Sequence, residues 1–329
     1  GIELIGKSIR MLTQRISQRV GFRLLRSFAP SKNFKPRMYR LVLLLVLIST
    51  WLSAQEFTTL SYHSNDSIKL ELDLFLPEVI DGQAVPLVIF VHGGGFSGGD
   101  RNGGHRLGSA LRQQGIATAS ISYTLSMKGR TQDWGCNGIL KEKLKTLQLA
   151  ATETWLATDF LYKNASQYGL DTASFFLGGI SAGAETIFHA AYFDRTAMAL
   201  IEHQLSQKFR YAGIISGAGA IVDLNLITEQ NQIPTMVFHG DEDKLVPYGT
   251  AAHHYCPPNS SGWLMLFGSA AVTDHLQALR GSFQLFTFTG AGHGVCGHFF
   301  HQEPEAIIAF VKRVGQREHF QERIIRNKP

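Results

Sequence analysis

Six short apolar runs recur along the chain, at residues 87–91, 117–123, 175–177, 211–216, 235–238 and 283–288. They read as runs poor in charge, each about one strand long, the pattern of strands covered on both faces. Segments with helical character lie between or after them, near 104–114, 138–165, 182–193, 264–280 and 304–314. Strands joined through helices run parallel, so the expected fold class is α/β, a doubly wound, mostly parallel sheet with helices on both faces. Two earlier runs, 58–62 and 68–76, behave differently. Leu70, Leu72 and Leu74 alternate with Lys69, Glu71 and Asp73, as strands with one wet face do, and an antiparallel edge is expected there.

The 329 residues suffice for one large domain, expected over 55–329, and a content of 44% hydrophobic and 17% charged residues is ordinary for a globular chain. The net charge of +5 is unevenly spread. Residues 1–40 hold ten Lys and Arg against a single acid, Glu3, which leaves 21 basic and 25 acidic side chains for the rest. A basic footprint for nucleic acid belongs on the folded domain, so nucleic acid is not expected as a partner.

The basic segment is better explained by targeting. From Met38, with Arg37 and Arg40 around it, an apolar run extends from Leu41 through Leu52 and ends in Ser53-Ala54-Gln55. The run is too short to cross roughly 30 Å of hydrocarbon comfortably and ends in small residues, so 38–54 reads as a signal peptide cleaved after Ala54. A secreted or periplasmic location follows, with no stable membrane anchor, and no Cys stands where a lipid would be attached. Residues 1–37 are rich in Arg and Ser, as a transit peptide would be, but the export signal just downstream argues otherwise; they are read as a basic extension outside the fold. Cys136, Cys256 and Cys296 show no C-x-x-C spacing and imply no metal site. In an oxidising compartment two of them can pair, in any of three ways, and a bond through Cys296 would tether the loop carrying His293.

Four motifs follow predicted strands. Gly179-Ile180-Ser181-Ala182-Gly183 is a G-x-S-x-G pattern at a strand-to-helix turn, which forces the serine into a tight exposed position. A serine hydroxyl needs a base and an orienting acid to act as a nucleophile. His239-Gly240-Asp241-Glu242-Asp243 offers the acid, with Asp243 preferred because Val246 and Pro247 complete H-G-x-x-D-x-x-V-P, and Asp241 as its rival. Gly290-Ala291-Gly292-His293-Gly294 offers the base, expected on the loop after the last strand, with a pKa within about a unit of 6.5. His92-Gly93-Gly94-Gly95-Phe96 offers unobstructed N–H groups, so Gly94 or Gly95 together with Ala182 are the candidates for an oxyanion hole. A phosphate loop is excluded because G-x-x-x-x-G-K-[ST] is absent.

Together these motifs resemble the alpha/beta-hydrolase superfamily, especially its carboxylesterases and feruloyl or acetylxylan esterase-like members, over about residues 56–316. The resemblance implies a catalytic triad of Ser181, Asp243 and His293, no cofactor, no metal, and a small-molecule or carbohydrate-linked ester as substrate. The segment 126–145, with Trp134, Gly135, Cys136 and Asn137, departs from the usual esterase continuation after Tyr123, and is either a wall of the substrate pocket or a surface loop. A serine peptidase of prolyl-oligopeptidase type and a non-catalytic hydrolase-fold binding module stay open as alternatives.

Overall fold

The structure, a computed structural model, describes residues 56–77, 82–130 and 134–329. The extension 1–37 and the export segment 38–54 lie outside the described residues. Glu56 to Pro329 form one compact unit.

The strands are β1 (Thr58–Ser64), β2 (Lys69–Phe75), β3 (Val85–Val91), β4 (Ala117–Ile121), β5 (Leu170–Ile180), β6 (Gly213–Gly217), β7 (Ala220–Ile221), β8 (Thr235–Gly240), β9 (Thr250–Ala252), β10 (Met265–Gly268), β11 (Phe283–Thr289) and β12 (Gln321–Asn327). Nine of them form one sheet in the order β1-β2-β4-β3-β5-β6-β8-β11-β12. β1 and β2 are antiparallel, as is β2 to β4, and every later pairing is parallel. The alternating runs therefore make the antiparallel edge and the continuous ones the parallel centre, because only the central strands are covered on both faces.

The five longer helices are α1 (His105–Arg112), α2 (Leu140–Lys163), α3 (Ala182–Tyr192), α4 (Ser269–Ala278) and α5 (Pro304–Gly315). They divide between the two faces. On β3, Leu87, Ile89 and Val91 pack into a core shared with Trp155 of α2, Ile187 and Phe188 of α3 and Leu276 of α4. Val88 and Phe90 point the other way, into a core shared with Leu107 and Leu111 of α1 and Ile307 and Phe310 of α5. Side chains alternate across a strand, so an uninterrupted apolar run feeds both layers at once. The buried Trp155 ring also ties α2 to α3, its indole N–H donating to the carbonyl of Ala190 at 2.7 Å.

Two features depart from the sequence reading. The expected helix at 264–280 begins as β10, which joins β7 and β9 in a small antiparallel sheet, and turns helical only at Ser269. A short apolar stretch such as Leu264 to Phe267 satisfies either period, and pairing with Ala251 and Ile221 decides it. β11 is not the last strand either. β12 adds to its free side, alternately exposed and charged as an edge strand is.

Candidate active site

β5 ends at Ile180 and α3 begins at Ala182, leaving Ser181 alone to make the turn. It does so at φ 54° and ψ −122°, a left-handed conformation that an L-residue adopts only where its surroundings enforce it. The enforcement is local: Ser181 N–H donates to Gly217 O at 2.8 Å, and Glu185 N–H donates to Ser181 O at 2.9 Å. A side chain at Gly183 would collide with the carbonyl of Val91, and one at Gly179 would sit 2.5 Å from Gly183 O. Both glycines of the motif are therefore required for the helix to press against the ends of β3 and β5.

Asp243 follows β8 and is fully buried, while His293 follows β11 on the neighbouring strand. The parallel pairing of those strands brings the two loops together. His293 Nε2 lies 2.8 Å from Ser181 Oγ, and His293 Nδ1 lies 2.6 Å from Asp243 Oδ2. With Nδ1–H donating to the carboxylate, Nε2 is left to accept the serine proton. The rival Asp241 goes elsewhere: its Oδ1 accepts the N–H of Gly290 at 2.7 Å, pinning the start of the histidine loop.

Asp243 is held by four donors. Its Oδ1 accepts the N–H groups of Leu245 at 2.8 Å and Val246 at 3.1 Å, and its Oδ2 accepts from His293 and from His239 Nε2 at 3.1 Å. His239 Nε2 also lies 3.1 Å from Val246 O, a pure acceptor, so this nitrogen carries the proton and Nδ1 accepts from Ser269 Oγ at 2.9 Å. Burial alone would raise the Asp243 pKa, but the hydrogen bonds from His239 and His293 and the charge His293 can carry hold it well below the usual carboxylate range. For His293 burial pulls downward, and the Asp243 hydrogen bond, the nearby Cys296 and the Asp243 charge outweigh it. The imidazole is raised well above its ordinary 6.5. The expected value near 6.5 let burial balance the Asp243 contact, and here the contact outweighs burial.

The glycine loop after β3 closes the other side. Gly94 turns at φ 117° and its carbonyl accepts from Ser97 N–H and Gly98 N–H, so the chain folds back tightly at that point. His92 props the loop from beneath, its ring stacked on Tyr123 at 4.5 Å, with Nδ1–H donating to Gly93 O and the Tyr123 hydroxyl donating to His92 O. Gly94, Gly95, Ser181, Ala182 and His293 all line one cavity of about 690 Å³.

The segment 126–145 contributes the far wall through Met127, Trp134 and Gly135. It is secured by a disulfide between Cys136 and Cys256, which joins it to the loop carrying His253 and His254. Cys296 is the free thiol and sits on the cavity wall, so the notion of a bond tethering the His293 loop through Cys296 is not met. The motif names His239 without giving it a role, although its position four residues before Asp243 is a usable signal. No motif gives a role to Glu185 or His253, which line the cavity beside Ser181. Among the described residues no cluster of His, Cys, Asp and Glu is arranged to hold a metal ion, and no helix is long and apolar enough to cross a membrane.

Comparison with known proteins places this geometry. The BD-FAE family model matches residues 72–133, from β2 through the glycine loop to the start of the Trp134 segment. Secreted lipase 5 of Gibberella zeae is 27% identical over 145 residues, covering 41% of this chain, which spans only 26% of the length of that protein. Among solved structures, Thermogutta terrifontis esterase 2 phosphorylated by paraoxon superposes with a TM-score of 0.57 at 13% identity, covering 77% of this chain and 91% of the other. Its propionate-bound form gives 0.56 at 13% identity, covering 82% and 96%. At that identity the structural likeness speaks for the fold. The chain therefore has the alpha/beta-hydrolase fold, and over residues 72–133 it is similar to the BD-FAE family.

Proposed function

We propose that the protein hydrolyses carboxylic esters through an acyl-enzyme intermediate on Ser181. The observation that carries this reading is the continuous hydrogen-bonded chain from Ser181 Oγ through His293 to Asp243, opening onto the same cavity as the glycine loop. His293 Nε2 takes the hydroxyl proton as Ser181 Oγ bonds to the ester carbonyl carbon. The carbonyl oxygen becomes an oxyanion, facing the N–H groups of Gly94 or Gly95 and of Ala182. Ala182 is the first residue of α3, where N–H groups have no partner within the helix. Preorganised donors of this kind typically contribute about 3 kcal/mol each. Collapse of the intermediate expels the alcohol, which receives the proton from His293, and water then attacks the acyl-enzyme by the same route in reverse.

The substrate is a small or carbohydrate-linked ester, and the site of action is outside the cytoplasm. The cavity volume and the esterase neighbours support a small ester, and the carbohydrate-linked form draws on the motif resemblance to feruloyl and acetylxylan esterases alone. The location draws on the Cys136–Cys256 disulfide, the secreted lipase relative and the export segment at 38–54.

Paraoxon supplies the test, being the agent found on the Thermogutta enzyme. Incubation with it, or with a fluorophosphonate probe, is expected to modify Ser181 alone and to abolish p-nitrophenyl butyrate hydrolysis in proportion. Ester hydrolysis that persists in fully modified protein, or a label on another residue, would overturn the mechanism.

A further inference from the structure

Glu185 stands in the first turn of α3, four residues after the Ser181 N-cap, a rise of about 6 Å along the axis. It is 1% exposed, yet it lines the Ser181 cavity. Neither of its carboxyl oxygens makes a hydrogen bond of good geometry, although the Trp134 side chain stands near enough to act as a donor, and both ring nitrogens of His253, fully buried in the same wall, lack a partner of good geometry as well. Glu185 Oε1 and His253 Nε2 approach to 3.5 Å without forming a hydrogen bond of good geometry. Buried polar side chains are almost always paired, so two that are unpaired together beside a reactive serine point to a ligand group that pairs with them.

The state of these side chains defines that group. Burial raises the Glu185 carboxyl to about 8, against the opposing pull of His293, Lys143 and the Trp134 side chain. Burial also lowers His253 well below the ordinary imidazole value, with His254 and Lys143 acting in the same sense. Near neutral pH the pair therefore presents a carboxylic acid and a neutral imidazole, each with one donor and one acceptor. A hydroxyl matches both at once, accepting from one and donating to the other. A charged group would have to shed its water against Met127, Trp134, Leu245 and Val246 beside two neutral partners. The disulfide keeps the two sides of this floor together, since Trp134 lies two residues before Cys136 and His253 three before Cys256.

We propose that Glu185 and His253 form a hydrogen-bonding subsite that selects esters bearing an uncharged hydroxyl a few bonds from the reacting carbonyl carbon. The proposal rests on the ester-hydrolase reading and adds a substrate class to it. A site built to pair with a hydroxyl rejects the analogue that lacks one, because the pairing groups are then left unsatisfied.

The test uses two matched pairs of esters followed by pH-stat titration: methyl 3-hydroxybutyrate against methyl 3-methylbutyrate, and 2-hydroxyethyl acetate against propyl acetate. For the unaltered protein kcat/KM is expected to favour the hydroxylated member of at least one pair by about tenfold or more. Glu185→Gln, which keeps a donor and an acceptor, is expected to retain most of that ratio. Glu185→Met and His253→Phe are expected to bring it close to one. If Glu185→Met does not fold, the ratios of Glu185→Gln and His253→Phe decide. Equal rates within both pairs, a preference for the 3-amino analogue over the 3-hydroxy ester, or a ratio unchanged in Glu185→Met or His253→Phe would overturn the subsite. Failure to hydrolyse any ester, with Ser181 unlabelled by fluorophosphonate, would instead overturn the ester-hydrolase reading beneath it.

Discussion

Asp241 and Asp243, one residue apart, hold the histidine loop by different means: Asp241 Oδ1 accepts the backbone N–H of Gly290 at 2.7 Å, and Asp243 Oδ2 accepts from the His293 ring at 2.6 Å. One carboxylate anchors the loop and the other orients the imidazole. Asp243→Asn is therefore expected to lower kcat by up to about ten-thousandfold, since an amide presents the wrong partner to Nδ1. Asp241→Asn keeps an oxygen for Gly290 and is expected to cost far less. Steady-state kinetics of the two variants on one p-nitrophenyl ester checks the ranking.

Ser181→Ala is expected to reduce ester turnover by at least about a thousandfold while the protein keeps its fold. Far-UV circular dichroism and the denaturation midpoint establish the second part. Turnover near the original level in a folded variant would contradict the role given to Ser181.

In the proposed mechanism His239 acts through Asp243. Its Nε2–H is one of four donors to a fully buried carboxylate, and a hydrogen bond to a charged group is worth about 1.5–3 kcal/mol. His239→Phe is expected to lower kcat by about tenfold to a hundredfold with KM little changed, and to shift the acid limb of the pH profile. A purely structural role would lower stability and leave that limb in place.

The raised pKa of His293 sets the pH dependence. Only the neutral ring can take the Ser181 proton, so kcat/KM is expected to rise with pH and to reach half its plateau above 6.5. Stability moves the opposite way at this residue. The folded state binds the proton more tightly than the unfolded chain, so the contribution of His293 is complete below about pH 6.5 and is lost as pH rises through the folded value. Rates from pH 5 to 10, paired with urea titrations across the same range, test both signs. A rate falling between pH 6 and 8 would contradict the assignment.

Cys136 and Cys256 are 120 residues apart in sequence, and their disulfide closes a long loop. Replacing both by Ser is expected to cost about 2–4 kcal/mol in urea denaturation. Because the bridge joins two walls of the cavity, KM is expected to rise more than kcat falls. Equal kinetics in the unbridged protein would show that the walls hold without it.

The parallel core and the strand-end motifs were legible in the residues themselves. A run such as Leu87 to Val91 has no polar face, so it must lie between two layers, and consecutive runs of that kind joined by helices leave little choice of topology. Ser181, His293 and the glycine loop were legible for a related reason. Each sits at the end of a strand, where the turn imposes its own residue requirements, as the collision of any Gly183 side chain with Val91 illustrates.

Relationships set by pairing between distant segments were not legible. β12 is charged and alternating, like a solvated tail, and becomes a strand only because β11 offers it a free edge. The motif favours Asp243 over Asp241, but what each carboxylate holds depends on the register of β8 beside β11. The pKa of His293, the pairing of Cys136 with Cys256 and the unpaired meeting of Glu185 with His253 have the same origin. Burial, charge and contact between residues 50 to 120 positions apart exist only once the chain has closed on itself, whereas strand pattern and turn chemistry are properties of a few consecutive residues.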